Sequence, residues 1–450
     1  MNYIITSVFA CIMCMAGNNI HNNTYINVPV QEIETAMKNH VDLWYPSIID
    51  TEDGGYYTQF DHKWEKMDAQ PKMLVTQARG LWTAAKAAQV IKNNHKLIEA
   101  ANHGYTFITE NMWDTENGGF KLHHDKENEK YKLIYGNAFA IFALAEYAKI
   151  NPSEEVFEWL HKSFDWLENN AYDPEYGGYF NLILNEELKA EFPNNIDDVM
   201  QFGWGHPFWK DQNTSIHLME AFTTLYQVMP EPKVRKRLEE LMVLIRDTMT
   251  SPKGTLKLFF EADWTPINHS DSSRTFILEN SFFDHVSFGH DIETAYLIID
   301  ASQTLYGKID EKTLKIAKQL TDHTLENGFA HDYYGVYDRG YYFNNRGKPE
   351  IIDRKKSWWS QFEAWHTLAI MATLFPEEPV YETAFIKLWN YIENELCDKI
   401  NGGYFEFGID ETPGAITRPK AHNWKSNYHD GRAIMLVYLY SQNNLPYILQ

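Results

Sequence analysis

The sequence predicts an all-α fold, an (α/α)6 barrel of six inner and six outer helices, with short β-hairpins in the loops at one end. Three observations lead there. Helical periodicity fills most of the chain and falls into two sets, one nearly all apolar and one amphipathic. Between these segments recurs an acidic turn followed by two glycines and an aromatic residue, and repetition on this scale means a modular architecture. No clear linker interrupts the chain after residue 28, so residues 28–450 are expected to form a single domain.

Taken in order, the chain opens with an apolar run from Tyr3 to Ala16 that contains Cys11 and Cys14. It is too short to span a bilayer and resembles the core of a signal peptide, although no Lys or Arg precedes it. Residues 1–27 therefore read as a signal peptide and polar linker, which would place the protein in the periplasm or outside the cell; without cleavage it would be cytoplasmic. Ala10-Cys11 also allows a lipoprotein processing site. Helical periodicity begins near Val30 and runs to Tyr45.

The repeated turn then appears as Asp50 to Tyr57, with Gly54-Gly55 before the aromatic residues. It returns at Gly118-Gly119-Phe120, Gly177-Gly178-Tyr179 and Gly402-Gly403-Tyr404. Looser copies are expected at Leu258-Phe259-Phe260 and at Tyr334-Gly335-Val336-Tyr337. The first three copies are spaced 64 and 59 residues apart, and six at that period fill the chain.

Each member of the apolar set starts with a polar cluster: Thr76 to Trp82, Tyr135 to Ala140, Asn213 to Ala221, Gly289 to Asp300, Trp358 to Ala364 and Tyr428 to Ala433. The amphipathic set is typified by Lys233 to Thr248 and Glu311 to His323. An inner and an outer ring follow, and the polar starts of the inner helices converge at one mouth beside the hairpins.

Composition narrows the function. A formal charge of −22 argues against nucleic acid or an anionic membrane as partner. Aromatics make up 15% of the chain, including 14 Trp, which suits both core packing and stacking on sugar rings. Three cysteines, Cys11, Cys14 and Cys397, support no disulfide framework and no paired-CxxC zinc site. There is no nucleotide-binding glycine motif, no GxSxG elbow and no HExxH.

What remains is a set of imidazoles with carboxylates in an aromatic-lined mouth. His290 and Glu293 share a helix face, as do His217 and Glu220. His429 follows Trp424-Lys425-Ser426-Asn427-Tyr428, an unusual cluster for a helix start. Neutral histidines near pH 7 suit reversible proton transfer at carbon. Three histidines could also hold zinc, but they come from distant helices, and no metal or cofactor is expected. A glycoside hydrolase on the same barrel would need two carboxylates facing each other, for which Asp291 and Glu363 are the candidates.

These residues carry a family resemblance. Asn213-x-x-x-His217-x-x-Glu220-Ala221, Gly289-His290-Asp291-Ile292-Glu293, Trp358-Trp359-x-Gln361-x-Glu363-Ala364 and Lys420 to Ala433, together with Arg79 and Tyr135-Gly136, resemble the motifs of the N-acylglucosamine 2-epimerase superfamily, cellobiose 2-epimerases most of all. Two departures are Ser215-Ile216 and Gly402-Gly403-Tyr404, where cellobiose epimerases tend to have His-Leu and Gly-Glu-Trp.

The resemblance implies an (α/α)6 barrel that epimerises C2 at the reducing end of a β-1,4-linked disaccharide such as cellobiose or mannobiose. N-acylglucosamine epimerisation and mannose/glucose-type aldose–ketose isomerisation are the alternatives. His290 and His429 would exchange the C2 proton, and Glu293 would orient His290 or hold a hydroxyl. His217 and Arg79 would assist ring opening. Tyr135, Asn213, Trp358, Trp359, Glu363 and Trp424 would bind the sugar. The partner is thus a small-molecule sugar, with no membrane span and a monomer or homodimer expected.

Overall fold

The computed structural model describes residues 29–92, 94–126, 130–185 and 206–442. The apolar run with Cys11 and Cys14 and the linker up to residue 27 lie outside the described residues. Within them, the helices in chain order are α1 (Val30–Trp44), α2 (Leu74–Val90), α3 (His95–Asn111), α4 (Ile134–Ala148), α5 (Glu154–Asn170), α6 (Gln212–Val228), α7 (Pro232–Leu244), the short α8 (Arg274–Asn280), α9 (Phe288–Tyr306), α10 (Glu311–Asn327), α11 (Trp358–Leu374), α12 (Pro379–Tyr391) and α13 (His429–Ser441).

The two sets of periodicity become two rings. Every residue of α4 is buried. A helix apolar on all sides has no solvent face and can only sit in a core. By contrast α5 buries Val156, Leu160, Ser163, Phe164 and Leu167, one stripe at helical spacing, and leaves charge outside. The inner ring closes: α2 packs on α4, α4 on α6, α6 on α9, α9 on α11, α11 on α13 and α13 back on α2. Each outer helix lies mainly on one inner helix, α3 on α2, α5 on α4, α7 on α6, α10 on α9, α12 on α11 and α1 on α13. This is the (α/α)6 barrel. Two outer helices end in π-helical turns, residues 245–249 after α7 and 392–396 after α12.

Short strands lead into three inner helices. β1 (Tyr131–Leu133) runs into α4 and pairs antiparallel with β2 (Leu182–Leu184), with Lys132 opposite Ile183. β3 (Lys210–Asp211) runs into α6 and pairs with β4 (Phe259–Phe260). β5 (Val286–Ser287) runs into α9, and joins β6 (Arg339–Tyr341) and β7 (Glu350–Asp353) in an antiparallel sheet. Strand pairing thereby fixes where each of these helices starts.

The repeated turn is a hairpin in all six places. Asp50 N–H donates to Gly55 O at 3.0 Å and Tyr57 N–H to Ile48 O at 2.7 Å, and the same two bonds recur at Asp114/Lys121, Asp173/Phe180, Ser251/Lys257, Ala330/Tyr337 and Asp398/Phe405. The fourth copy is therefore Thr250–Leu256, not Leu258-Phe259-Phe260, whose phenylalanines form β4 instead. Its turn, with Gly254 as its only positive-φ glycine, lacks the Gly-Gly signal that marks four of the others.

An amide clamps three of the hairpins to the inner ring. Gln77, Asn137 and Gln361, each three residues into its helix, accept from the N–H of Tyr56, Phe120 and Val336 at 2.7, 2.8 and 2.7 Å. Each donates back to the same residue's carbonyl, at 2.9, 3.2 and 2.9 Å. In α9 the position is Asp291, whose Oδ1 accepts from Leu256 N–H at 2.8 Å. Four hairpins also hold a lysine against the turn aspartate: Lys72–Asp50, Lys132–Asp114, Lys210–Asp173 and Lys420–Asp398, at 2.5 to 2.7 Å.

Candidate active site

The inner helices start at one mouth of the barrel, and there a cavity of about 280 Å³ opens. Arg79, Tyr135, His217, His290, Glu293, Trp358, Trp359, Trp424 and His429 all line it, from α2, α4, α6, α9, α11, the loop before α13, and α13. Asn213 faces an adjoining chamber of about 90 Å³ that shares Tyr135 and His290 with the main cavity.

His290 is the third residue of α9. Its Nδ1 exchanges a hydrogen bond with Ser287 Oγ at 2.7 Å, at the junction of β5 and the helix. Glu293, expected to orient His290 or hold a sugar hydroxyl, meets a different partner: its Oε1 accepts from Arg432 Nη2 at 2.9 Å, while the residue still lines the cavity. The reason is that i and i+3 side chains share a face without having to touch, and a guanidinium is the stronger partner for a carboxylate buried at 1% exposure.

His429 begins α13. Its Nδ1 lies 2.6 Å from Glu363 Oε1. Donation from Nδ1–H to that oxygen leaves the Nε2 lone pair free. Glu363 is thus a partner of His429, fully buried behind it, and not among the residues that line the cavity. With Asp291 committed to Leu256 and fully buried, neither carboxyl of the expected hydrolase pair reaches the cavity.

Both imidazoles pack near the indole of Trp359, whose ring centre is 4.6 Å from that of His290 and 5.8 Å from that of His429. Burial pushes His290 down to about 3, with the charges of His217, His285 and Arg339 adding to it. Burial also holds His429 well below the ordinary imidazole range, followed by the guanidinium charges of Arg79 and Arg432. Both rings are therefore neutral at pH 7 and can accept a proton.

His217 is held through Nδ1 by Glu220 Oε2 at 2.8 Å. The other oxygen of Glu220 accepts from Tyr428 OH at 2.8 Å and from Arg432 Nη1. Arg79 donates to Tyr135 OH at 2.8 Å and to Trp424 O at 3.4 Å. It also sits over the Phe139 ring, 4.4 Å from its centre. This fixes a permanent positive charge on the cavity wall.

Beneath the histidines Arg432, 2% exposed, meets three carboxyls: Glu220, Glu293 and Glu363, the last at 2.6 Å. Ligand atoms of Glu293, Glu363 and His429 lie within 4.8 Å of one another, a spacing a metal ion could use. Arg432 donates to both of those carboxyls, however, so a guanidinium already supplies the cation there. Burial and the neighbouring charges of Glu293 and Glu220 hold Glu363 well above the usual carboxyl range. Burial would raise Glu220 too, but Arg432 and His217 outweigh it and leave it below that range.

The sequence reading missed Arg432 as a site residue, although an arginine inside Ala433-Ile434-Met435 signals a buried cation that must find carboxylates. It also missed Ser287 and the cavity-lining Asp338, Glu406 and His422, which carry no helical signal because they sit in strands and loops.

A family model described as N-acylglucosamine 2-epimerase (GlcNAc 2-epimerase) matches residues 55–430. Among curated proteins, a cellobiose 2-epimerase of Dictyoglomus turgidum is 26% identical over 425 residues, covering 92% of this chain and 98% of that protein. One of Ruminococcus albus is 28% identical over 425 residues, covering 91% and 98%. The solved structure of cellobiose 2-epimerase from Spirochaeta thermophila superposes with a TM-score of 0.78 at 28% identity, covering 92% of this chain and 97% of the other.

Proposed function

This chain belongs to the N-acylglucosamine 2-epimerase family and is a sugar epimerase, and we propose that it interconverts the C2 epimers of a β-1,4-linked disaccharide at its reducing end, by proton transfer between His290 and His429. The curated relatives described above act, by their names, on cellobiose, and they match nearly the whole chain.

The chemistry follows from the site. The reducing sugar opens to its aldehyde, and C2–H becomes acidic only beside that carbonyl. One imidazole takes the C2 proton, and the C2–H electron pair moves into an enediolate whose negative charge sits on O1. The second imidazole, protonated from solvent before it faces C2, returns that proton to C2 from the other face, the first releases to solvent the proton it took, and ring closure gives the epimer. Arg79 stabilises the charge on O1, and His217 moves the hydroxyl proton during ring opening and closing. Trp358, Trp359 and Trp424 offer flat apolar faces to the sugar rings, with Tyr135 and Asn213 as polar contacts.

The observation that carries this reading is the pair of neutral imidazoles, His429 buried and His290 half-buried, from different helices, both beside Trp359 and open to one cavity. The test is incubation with cellobiose, mannobiose, mannose and N-acetylmannosamine in D₂O, followed by sugar analysis. We expect the disaccharide epimer with deuterium at C2 from the first turnover, because each imidazole exchanges its proton with solvent. Epimer that keeps its C2 hydrogen rules out two-base transfer. Released monosaccharide indicates a hydrolase, and ketose an aldose–ketose isomerase. Turnover of N-acetylmannosamine alone moves the substrate to the acylamino sugars.

A further inference from the structure

We propose that Arg432 is a positioning residue for the proton-transfer step: its single guanidinium ties the carboxyl that holds His217 to the carboxyl that holds His429, so the two histidines respond to each other without touching. The inference rests on His429 being a proton-transfer base, as argued above.

The geometry is a branched chain. His217 Nδ1 meets Glu220 at 2.8 Å, and Glu220 accepts from Arg432. Arg432 meets Glu363 at 2.6 Å, and Glu363 meets His429 Nδ1 at 2.6 Å. A third arm runs to Glu293, which lines the cavity. These groups come from α6, α9, α11 and α13, so the guanidinium is the junction of four inner helices. The remaining oxygens Glu293 Oε2 and Glu363 Oε2 are buried and have no hydrogen-bond partner, so neither carboxyl has a competing attachment among the described residues.

One cation among three buried carboxyls cannot balance three negative charges, and the carboxyl of Glu363 bears the mismatch, pushed up by burial and by its two neighbours. With the Glu363 carboxyl pushed toward its neutral form, His429 faces a weaker acceptor. If Glu220 is neutralised, Arg432 serves two carboxyls, Glu363 loses one repelling neighbour and ionises, and the imidazolium form of His429 gains a contact partner. His429 thus becomes more basic when a group on the far side of Arg432 changes. The other charged or titratable groups facing His429 are Arg79 from α2, His217 from α6 and His290 from α9. Tyr296, Tyr428 and His366 face Arg432 itself. None of them supplies a second path from Glu220 through Glu363.

The test follows the His429 ring by ¹⁵N NMR across pH in the full chain, with the resonance assigned by its loss in His429→Gln, alongside the pH profile of kcat/KM on whichever sugar is turned over. Glu220→Gln, which keeps the shape of the side chain, should move the His429 titration upward by about one unit, the size of shift a nearby charge produces. In a Glu363→Gln background the same substitution should move it by much less. No shift, a downward shift, or a shift that survives intact without Glu363 overturns the proposal. If Glu220→Gln does not fold, Glu293→Gln removes another of the three charges and is expected to act in the same direction. An NMR shift as expected, with a kcat/KM profile that ignores it, leaves the coupling standing and removes His429 from the proton-transfer role instead.

Discussion

In four of the hairpins a buried lysine has one carboxylate partner close in sequence, whereas in the layer beneath them one guanidinium serves three carboxyls from three other helices. Lys72 and Asp50 are 22 residues apart, and Lys420 and Asp398 also 22. Arg432 reaches Glu293 across 139 residues and Glu220 across 212. The first arrangement neutralises itself locally and can be repeated around the barrel. The second leaves unequal charges in one buried cluster, and unequal charges shift the titration of the groups around them. The difference separates a framework that holds position from a cluster that links two histidines of the cavity.

The comparison breaks most visibly at the histidines. Replacing His290 or His429 by alanine should reduce epimerisation by ~10²–10⁴-fold, the usual worth of a general acid or base, while the helical circular dichroism and Tm stay near those of the parent. Near-parental turnover in His429→Ala would take that residue out of the scheme. In D₂O, either single variant that still exchanges substrate C2–H without inverting it identifies the face served by the remaining imidazole.

The framework should fail in the opposite sense. Lys420→Met leaves Asp398, whose side chain is 4% exposed, without its cation. Stranding one partner of a buried pair costs about 3–5 kcal/mol. Denaturant unfolding should show that loss, with kcat per folded molecule little changed. A kcat collapse without loss of stability would mean that the hairpin ring takes part in the chemistry.

The smallest effect compares the hairpins with one another. Gln77, Asn137 and Gln361 clamp theirs with an amide, and Asp291 does so with a carboxyl that burial holds well above the carboxylate range. A group whose folded pKa exceeds its unfolded value contributes its full stability below the unfolded pKa, about 4 for Asp, and loses it as pH rises toward the folded pKa. Asp291→Asn should therefore raise stability at pH 7 by about 1–3 kcal/mol, the range for satisfying a buried polar group, and the gain should fade below pH ~4. Thermal melts of both proteins across pH check this. A constant difference at all pH values would show that Asp291 does not titrate with folding.

Much of the molecule was legible in advance because its signals are local. Periodicity separated inner from outer helices, since a helix buried on all sides must be apolar on all sides, as in α4. The Gly-Gly-aromatic turns located four hairpins, because tight turns with positive φ at both Gly118 and Gly119 demand glycine. The polar starts of the inner helices named nine residues that line the cavity. The fourth hairpin was misplaced because Ser251 to Leu256 substitutes other residues into the same backbone bonds.

By itself, then, the sequence determined the barrel, its repeat and which residues gather at its mouth. Only the tertiary structure decided what those residues do to one another. That Glu363 backs His429, that Ser287 rather than Glu293 meets His290, and that Arg432 joins three carboxyls all depend on ring closure, which brings α6, α9, α11 and α13 within hydrogen-bond reach across up to 212 residues. Helix periodicity records which face a side chain takes. A hydrogen bond needs a distance under about 3.5 Å between particular atoms, and no pattern within one helix carries the position of another.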